Sequence, residues 1–248
     1  MSDSNRVALV TGAATGIGLA TARAFVEAGY HLVLADRDRE RGEASARELN
    51  ATFIACDVAD EKDVARLHRE IMDHHGRLDA ACNNAGIEGE QAPTGEASLE
   101  NFDRVLSVNL RGTFLCLREQ MRLMAEQGHG AVVNMASVAG LVGFATLPAY
   151  CASKGGVVQL TKTAALEYAT RGIRVNAVCP GGTLTPMLEE DIDEAWHEEY
   201  TSRIPLGRLG HVEDQANGVL FLASELSAYM TGTVLEIDGG GQLAAGRD

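Results

Sequence analysis

Short apolar runs alternate with amphipathic stretches along most of the chain. Residues 6–11, 31–35, 52–56 and 78–82 are nearly continuous hydrophobic runs of strand length. Between them, residues 19–28, 38–49 and 62–74 carry apolar positions at helical spacing, with Val64, Leu67 and Ile71 on one face of the third. An uninterrupted apolar run is what a strand buried on both faces requires. Strands alternating with amphipathic helices predict a parallel sheet joined by right-handed crossovers. The pattern continues with a helix from Ser98 towards Gln127, a strand over 131–136 and a helix from Tyr150 to about Thr170. A strand over 173–178, a helix over 211–223 and a last strand over 233–237 complete it. The expectation is a doubly wound parallel sheet of seven strands in a three-layer α/β/α arrangement, one domain over residues 1–248.

Three stretches break the pattern. Inside the helix after Ser98, Ser107-Val-Asn109-Leu-Arg-Gly112 places an Asn and a Gly where both are poor helix formers, which implies a bend or a buried polar task for Asn109. Residues 87–97 form a polar loop at the carboxyl edge of the sheet, where ligands bind in such folds. Residues 187–203 are acidic and hold the only tryptophan, Trp196. They read as part of a lid over residues 183–208 or as a plain surface helix.

Charge and composition narrow the partners. A net charge of −14 argues against nucleic acid and anionic membrane surfaces, both of which demand Lys and Arg. It does not oppose a nucleotide cofactor, because backbone N–H groups can hold phosphates. No apolar run reaches membrane length and the first residues lack signal-peptide character. The five scattered cysteines suit reduced thiols, so a cytoplasmic protein is expected. Neither the cysteines nor the histidines show metal-ligand spacing, so no metal is expected.

The candidate chemistry sits at strand ends. The first strand runs into Gly12-Ala-Ala-Thr15-Gly16-Ile17-Gly18 and then a helix. A glycine turn opening a helix can cradle a pyrophosphate; a purely structural turn would look the same. Asp36 ends the second strand, 18 residues beyond Gly18, where an acidic residue can hold a ribose hydroxyl and repel a 2′-phosphate. That favours NAD over NADP, although the adjacent Arg37 could accept a phosphate. Asp57-Val58 is a turn or an adenine contact, and Asn83-Asn84-Ala85-Gly86 ends the fourth strand. Between Ser137, at the tip of the fifth strand, and Lys154, in the following helix, lie Gly140, Gly143 and Pro148, which break regular structure. Tyr150 and Lys154 are four residues apart, hence on one helix face and about 6 Å apart along the axis. A cation about 5 Å away at an effective dielectric near 20 favours a phenolate by roughly 3 kcal/mol, about 2 pKa units. A Tyr–Lys pair at this spacing also arises by chance.

In their order and spacing, the glycine turn, Asp57, Asn83-Asn-Ala-Gly86, Asn109, Ser137, Tyr150-Cys-Ala-Ser-Lys154 and Pro180-Gly181 resemble the single-domain, Rossmann-like branch of the short-chain dehydrogenase/reductase family, over nearly the whole chain. The resemblance implies that Tyr150 is an acid/base, that Ser137 orients the substrate oxygen, and that Lys154 lowers the Tyr150 pKa and holds the nicotinamide ribose. It implies that Asn109 supports a water beside Lys154. Gly12, Thr15, Gly16, Ile17 and Gly18 would meet the pyrophosphate, Asp36 and Arg37 the adenosine ribose, and Asp57 and Val58 the adenine. Asn84, Ala85 and Gly86 would lie beside the cofactor, with Pro180, Gly181, Thr183 and Thr185 near the nicotinamide. It also implies a homotetramer. One departure is Gly182, which leads to the expectation of a looser loop around Thr183 and Thr185.

The expected activity is hydride transfer between NAD and a secondary alcohol or ketone. Gly143, Phe144, Leu147, Met187 and Trp196 are expected to line the substrate site beside Ser137 and Tyr150. Competing readings are an NADPH-dependent ketoreductase of acyl substrates and a non-catalytic nucleotide-sensing or scaffold protein.

Overall fold

Strand β1 (Val7–Thr11) is buried along its whole length because it lies inside the sheet, paired in parallel with β2 (His31–Asp36) on one side and β4 (Ala80–Asn83) on the other. The computed structural model describes residues 5–185 and 194–244. The remaining strands are β3 (Thr52–Ala55), β5 (Gly130–Met135), β6 (Ile173–Pro180) and β7 (Val234–Ile237). All neighbours are parallel and the order is β3-β2-β1-β4-β5-β6-β7. The expected doubly wound sheet is therefore present, with every expected strand in place.

Alternation along the strands sorts the core into two layers, because successive side chains of a strand point to opposite faces. Val7 and Leu9 face a layer with Val64, Leu67 and Ile71 of α3 (Glu61–His75) and Leu115 and Met121 of α5 (Thr113–Gln127). Ala8 and Val10 face the other layer, with Phe25 of α1 (Gly16–Glu27) and Val219 and Leu222 of α8 (Val212–Ala223). The other principal helices are α2 (Arg39–Leu49), α4 (Leu99–Leu106), α6 (Pro148–Tyr168) and α7 (Glu194–Ser202). A polar ladder crosses the first layer. Asn83 Nδ2 donates to Gln120 Oε1 and Asn134 Oδ1, 2.9 Å each, and Asn134 Nδ2 donates to the Thr161 hydroxyl at 2.9 Å. Each of these buried groups has its partner, which low-dielectric burial requires.

The single helix expected from Ser98 to Gln127 is interrupted. Residues Ser107–Gly112 form a wide π-helical turn between α4 and α5. A Cβ on Gly112 would stand 2.9 Å from Val58 Cγ2, so the glycine lets this turn lie against the segment after β3. Such wide turns are frequent at functional sites.

Chain direction across the sheet reverses between β1 and β4, which opens a crevice at the carboxyl ends of the strands. The glycine turn, Asn84 and Ser137 all follow strands at that edge. Among the described residues there is no helix long and apolar enough to cross a membrane and no cluster of metal-ligating side chains.

Candidate active site

A cleft of about 690 Å³ occupies the crevice. At the glycine turn, Gly12 and Gly16 have φ of +63° and +56°, open to glycine at little cost. A Cβ on Gly12 would lie 2.8 Å from Ala85 Cα, and one on Gly18 would lie 2.0 Å from the Gly12 carbonyl oxygen. Gly18 does not line the cleft; it lets α1 close onto the turn. Asn84 fastens the turn from the far side, donating from Nδ2 to the carbonyls of Thr11 at 3.1 Å and Gly12 at 3.0 Å.

The start of α1 differs from those of its neighbours. Helices α2, α3 and α4 are capped by the side chains of Asp38, Asp60 and Ser98. Thr15, at the N-cap of α1, makes no side-chain cap. The first N–H groups of α1 thus open towards the cleft, wall of which includes Gly12, Thr15, Gly16 and Ile17. A helix start without a side-chain cap, beside a glycine turn that lines the cleft, fits a pyrophosphate.

Asp36 is held at the end of β2, its Oδ2 accepting from Ala14 N at 3.0 Å and its Oδ1 from Asp38 N at 2.9 Å. Arg37, Asp57 and Val58 line the same cleft, as do Ala85, Gly86, Pro180, Gly181, Thr183 and Thr185. Sequence reasoning passed over Arg41, which also lines the cleft and pairs with Asp38 at 3.1 Å. Nothing in its local sequence marks it; α2 brings it to the rim.

Ser137, Tyr150 and Lys154 meet in the cleft as expected. Ser137 follows β5, and its Oγ accepts from Ala139 N at 3.1 Å. Pro148 opens α6, placing Tyr150 in its first turn and Lys154 one turn later. The Lys154 side chain, 4% exposed, donates from Nζ to the Met135 carbonyl at 2.8 Å and stands 5.7 Å from the Tyr150 ring centre.

The electrostatics correct one expectation. Burial pushes the Tyr150 phenol up to about 12; a hydrogen bond from Ser137 acts in the opposite direction, and the charge of Glu88 adds to the rise. Burial pushes the Lys154 ammonium down to about 8. The expected lowering of the Tyr150 pKa by Lys154 is absent. Desolvation of the phenolate dominates, and the ammonium is directed at a carbonyl rather than at the phenol oxygen. In this state Tyr150 is a proton donor at neutral pH.

Asn109 is fully buried and lies in the π-helical turn. Its Nδ2 donates to the Ile87 carbonyl at 2.8 Å and to Ser153 Oγ at 3.1 Å, and its Oδ1 accepts from Ile87 N at 2.8 Å. The side chain is thus committed to the loop after β4 and to α6, outside the lining of the cleft. A Cβ on Gly86 would lie 3.3 Å from Asn109 Oδ1 and 3.4 Å from Lys154 Nζ, so the glycine admits that loop between them.

Phe144 and Leu147 line the cleft; Gly143 is exposed and outside its lining. Met187 lies outside the described residues, and Trp196 falls in α7, where its side chain is likewise outside them. Two further lining residues lie in stretches that the sequence pointed to without singling them out. Tyr200 of α7 belongs to the stretch read as a lid, and Glu88 to the loop over 87–97. The loop at Gly182 is also not loose. Gly210 N donates to the Gly182 carbonyl at 2.9 Å and Leu184 N to the Gly210 carbonyl at 2.8 Å. A Cβ on Gly182 would lie 2.4 Å from Tyr200 Cε1, so this glycine makes room for the Tyr200 ring.

Comparison with known proteins agrees with this geometry. Residues 12–242 match the family model described as enoyl-(acyl carrier protein) reductase. The 2,5-dichloro-2,5-cyclohexadiene-1,4-diol dehydrogenase of Sphingobium indicum is 42% identical, over 97% of this chain and 98% of that one. The cis-4-hydroxycyclohexanecarboxylate dehydrogenase of Sinomonas cyclohexanicum is 40% identical, over 96% of each. The crystal structure of levodione reductase superposes with a TM-score of 0.93 at 39% identity, covering 98% of each chain. With the glycine turn, the Ser137–Tyr150–Lys154 cluster and full-length relatives in agreement, the chain belongs to the short-chain dehydrogenase/reductase family and is an oxidoreductase of secondary alcohols and ketones that uses a nicotinamide cofactor.

Proposed function

We propose that this enzyme is an NAD-preferring dehydrogenase of a cyclic secondary alcohol, with Tyr150 as its acid/base. The observation that carries the reading is that Ser137, Tyr150 and Lys154 share one cleft with the uncapped start of α1 and with Asp36. The ring preference rests on relatives whose names denote six-membered carbocyclic alcohols.

A bound nicotinamide would supply the hydride chemistry at the alcohol carbon. The protein binds, orients and moves the proton. Gly12, Thr15, Gly16 and Ile17 would form the pyrophosphate cradle, with Gly18 letting α1 close beneath it, and Asp36 would accept from a ribose hydroxyl. Asp57 and Val58 would flank the adenine; Asn84, Ala85, Gly86, Pro180, Gly181, Thr183 and Thr185 would flank the nicotinamide half. Lys154 would hold the nicotinamide ribose. Ser137 would donate to the substrate oxygen while the Tyr150 hydroxyl gives a proton in reduction or receives one in oxidation. Asn109 would act as a positioning residue through Ile87 and Ser153.

The NAD preference rests on Asp36. A carboxylate about 5 Å from a 2′-phosphate at an effective dielectric near 20 would cost roughly 3 kcal/mol per charge. Arg37 and Arg41 on the same rim favour the other cofactor and sustain the ketoreductase alternative. We further infer a single cytoplasmic domain with a lid over residues 183–208, to which Tyr200 belongs, and a homotetramer. Exposed Phe114 on α5 and Leu166 on α6, the latter 84% exposed, support assembly through those helices.

The test is reduction of NAD and of NADP against a panel of ring alcohols. A tenfold or greater advantage for NAD supports the reading. An advantage for NADP would move the reductive alternative ahead, and binding of NADH without turnover of any alcohol would favour a nucleotide-sensing protein.

A further inference from the structure

Glu88 is a carboxylate at the substrate end of the cleft, and the proton transfer described above does not use it. It lines the same cavity as Ser137, Phe144, Leu147 and Tyr150. The other acidic residues of the lining, Asp36, Asp38 and Asp57, sit at the ends of β2 and β3, where the adenosine would lie. Glu88 instead follows β4 and Gly86, and its charge acts on the Tyr150 hydroxyl.

The carboxylate is held in place but not neutralised. Its Oε1 accepts from Gln91 Nε2 at 3.0 Å. Among the described residues no cation pairs with it, whereas its neighbour Glu90 lies 3.7 Å from Arg104. An ionised carboxylate offers about four acceptor positions. The Gln91 contact uses one of them, which leaves capacity facing no described donor.

The loop carrying Glu88 is tied to the loop carrying Phe144 and Leu147. The Thr146 hydroxyl reaches Gln91 Oε1 at 3.5 Å, and Ala92 N donates to the Thr146 carbonyl at 2.8 Å. Thr146 has a φ of +67°, a conformation that a β-branched residue adopts only under constraint from its surroundings. A strained residue bridging two substrate-side loops fixes the relative placement of Glu88 and the apolar wall.

We propose that Glu88 determines substrate specificity by accepting a hydrogen bond from a second hydroxyl of the substrate and by excluding substrates that carry a carboxylate, sulfonate or phosphate. The substrate class is then an uncharged ring diol or hydroxyketone: Tyr150 and Ser137 hold one oxygen, the apolar wall holds the ring, and Glu88 reads the far hydroxyl. The inference rests on the alcohol-dehydrogenase reading and narrows it. The two ring-alcohol dehydrogenases compared above, one named for a neutral diol and one for a carboxylate, are almost equally similar to this chain, so similarity alone does not choose between those classes.

The test compares cyclohexane-1,4-diol, 4-methylcyclohexanol and 4-hydroxycyclohexanecarboxylate with the wild-type enzyme, Glu88→Gln and Glu88→Leu. The methyl compound matches the diol in size but lacks the donor. The wild type should favour the diol over the methyl compound by about tenfold in kcat/KM and use the carboxylate least. Glu88→Gln, which keeps the shape and an acceptor, should raise kcat/KM for the carboxylate by about tenfold, chiefly through KM. Glu88→Leu should abolish the preference for the diol, read as the ratio of kcat/KM for the diol to that for 4-methylcyclohexanol within each variant, since loss of the charge also acts on Tyr150 for every substrate alike. Unchanged ratios in both variants would overturn the assignment of Glu88 and leave the dehydrogenase reading standing. A wild-type preference for 4-aminocyclohexanol over the diol would overturn the hydroxyl in favour of a cation. Absence of turnover by the wild type on every ring alcohol, with NADH bound, would overturn both readings.

Discussion

The Lys154 ammonium is directed at the Met135 carbonyl, 2.8 Å away at the end of β5, and stands 5.7 Å from the centre of the Tyr150 ring. It therefore joins the catalytic helix to the strand that carries Ser137. In this structure Lys154 organises the site more than it acidifies the phenol, and the phenol is held protonated by burial.

Replacing Tyr150 with Phe removes the group placed to exchange a proton with the substrate oxygen. Turnover should fall by about 10²–10⁴-fold, with NADH affinity nearly unchanged. Steady-state kinetics beside a fluorescence titration of NADH check both halves. Turnover like that of the wild type would remove Tyr150 from the reaction.

The pH profile should differ between directions. With Tyr150 as the proposed acid/base, alcohol oxidation would need its phenolate, and burial pushes the phenol up to about 12, so kcat/KM for oxidation should rise as pH increases. Under the same assignment ketone reduction would need the protonated phenol, which persists well above neutrality, so Tyr150 itself should impose no fall on that profile there. Lys154, pushed down to about 8, loses its charge on the alkaline side, and both directions should show a change near that value. Flat oxidation kinetics from about pH 6 to 9 would contradict this assignment.

Asp36→Ala should lower the preference for NAD over NADP by tenfold or more. It removes the carboxylate that would face a 2′-phosphate while Arg37 and Arg41 stay in place. The check is the ratio of kcat/KM for the two cofactors with one alcohol.

Gly18→Ala puts a Cβ 2.0 Å from the Gly12 carbonyl oxygen, a backbone atom that cannot swing aside. Overpacking of this kind costs about 1–3 kcal/mol, roughly 2–10 °C in a monitored thermal transition for a chain of this size. NADH affinity should fall with it, because the turn beneath the pyrophosphate must move.

Gly182→Ala tests the contact with α7. Its Cβ would meet the Tyr200 ring at 2.4 Å and displace it. The expected result is a higher KM for the alcohol with little change in melting temperature. An unchanged KM would show that the Tyr200 ring has no part in the substrate site.

The sequence by itself determined the layered sheet, because apolar runs of strand length alternating with amphipathic helices leave few ways to bury both faces. It also singled out much of the lining of the candidate site. The glycine turn, Asp36, Asn84, Ser137, Tyr150 and Lys154 all stand at or just beyond strand ends, or one helical turn apart, and a parallel sheet gathers those positions at one edge. Asn109 announced itself as an unfavourable residue in a helix, though only the fold showed that it clasps Ile87 and Ser153. The ionisation of Tyr150 was decided by tertiary structure, since spacing gives the distance to a cation but not the desolvation around a phenol. The same holds for Gly182, whose missing side chain is filled by Tyr200, and for Glu88, whose loop meets the loop of Phe144 and Leu147 through Thr146. These are contacts between segments far apart in the chain. Local pattern carries periodicity and turn chemistry; which distant side chains share a cavity, and how much water they lose there, is set only when the layers close.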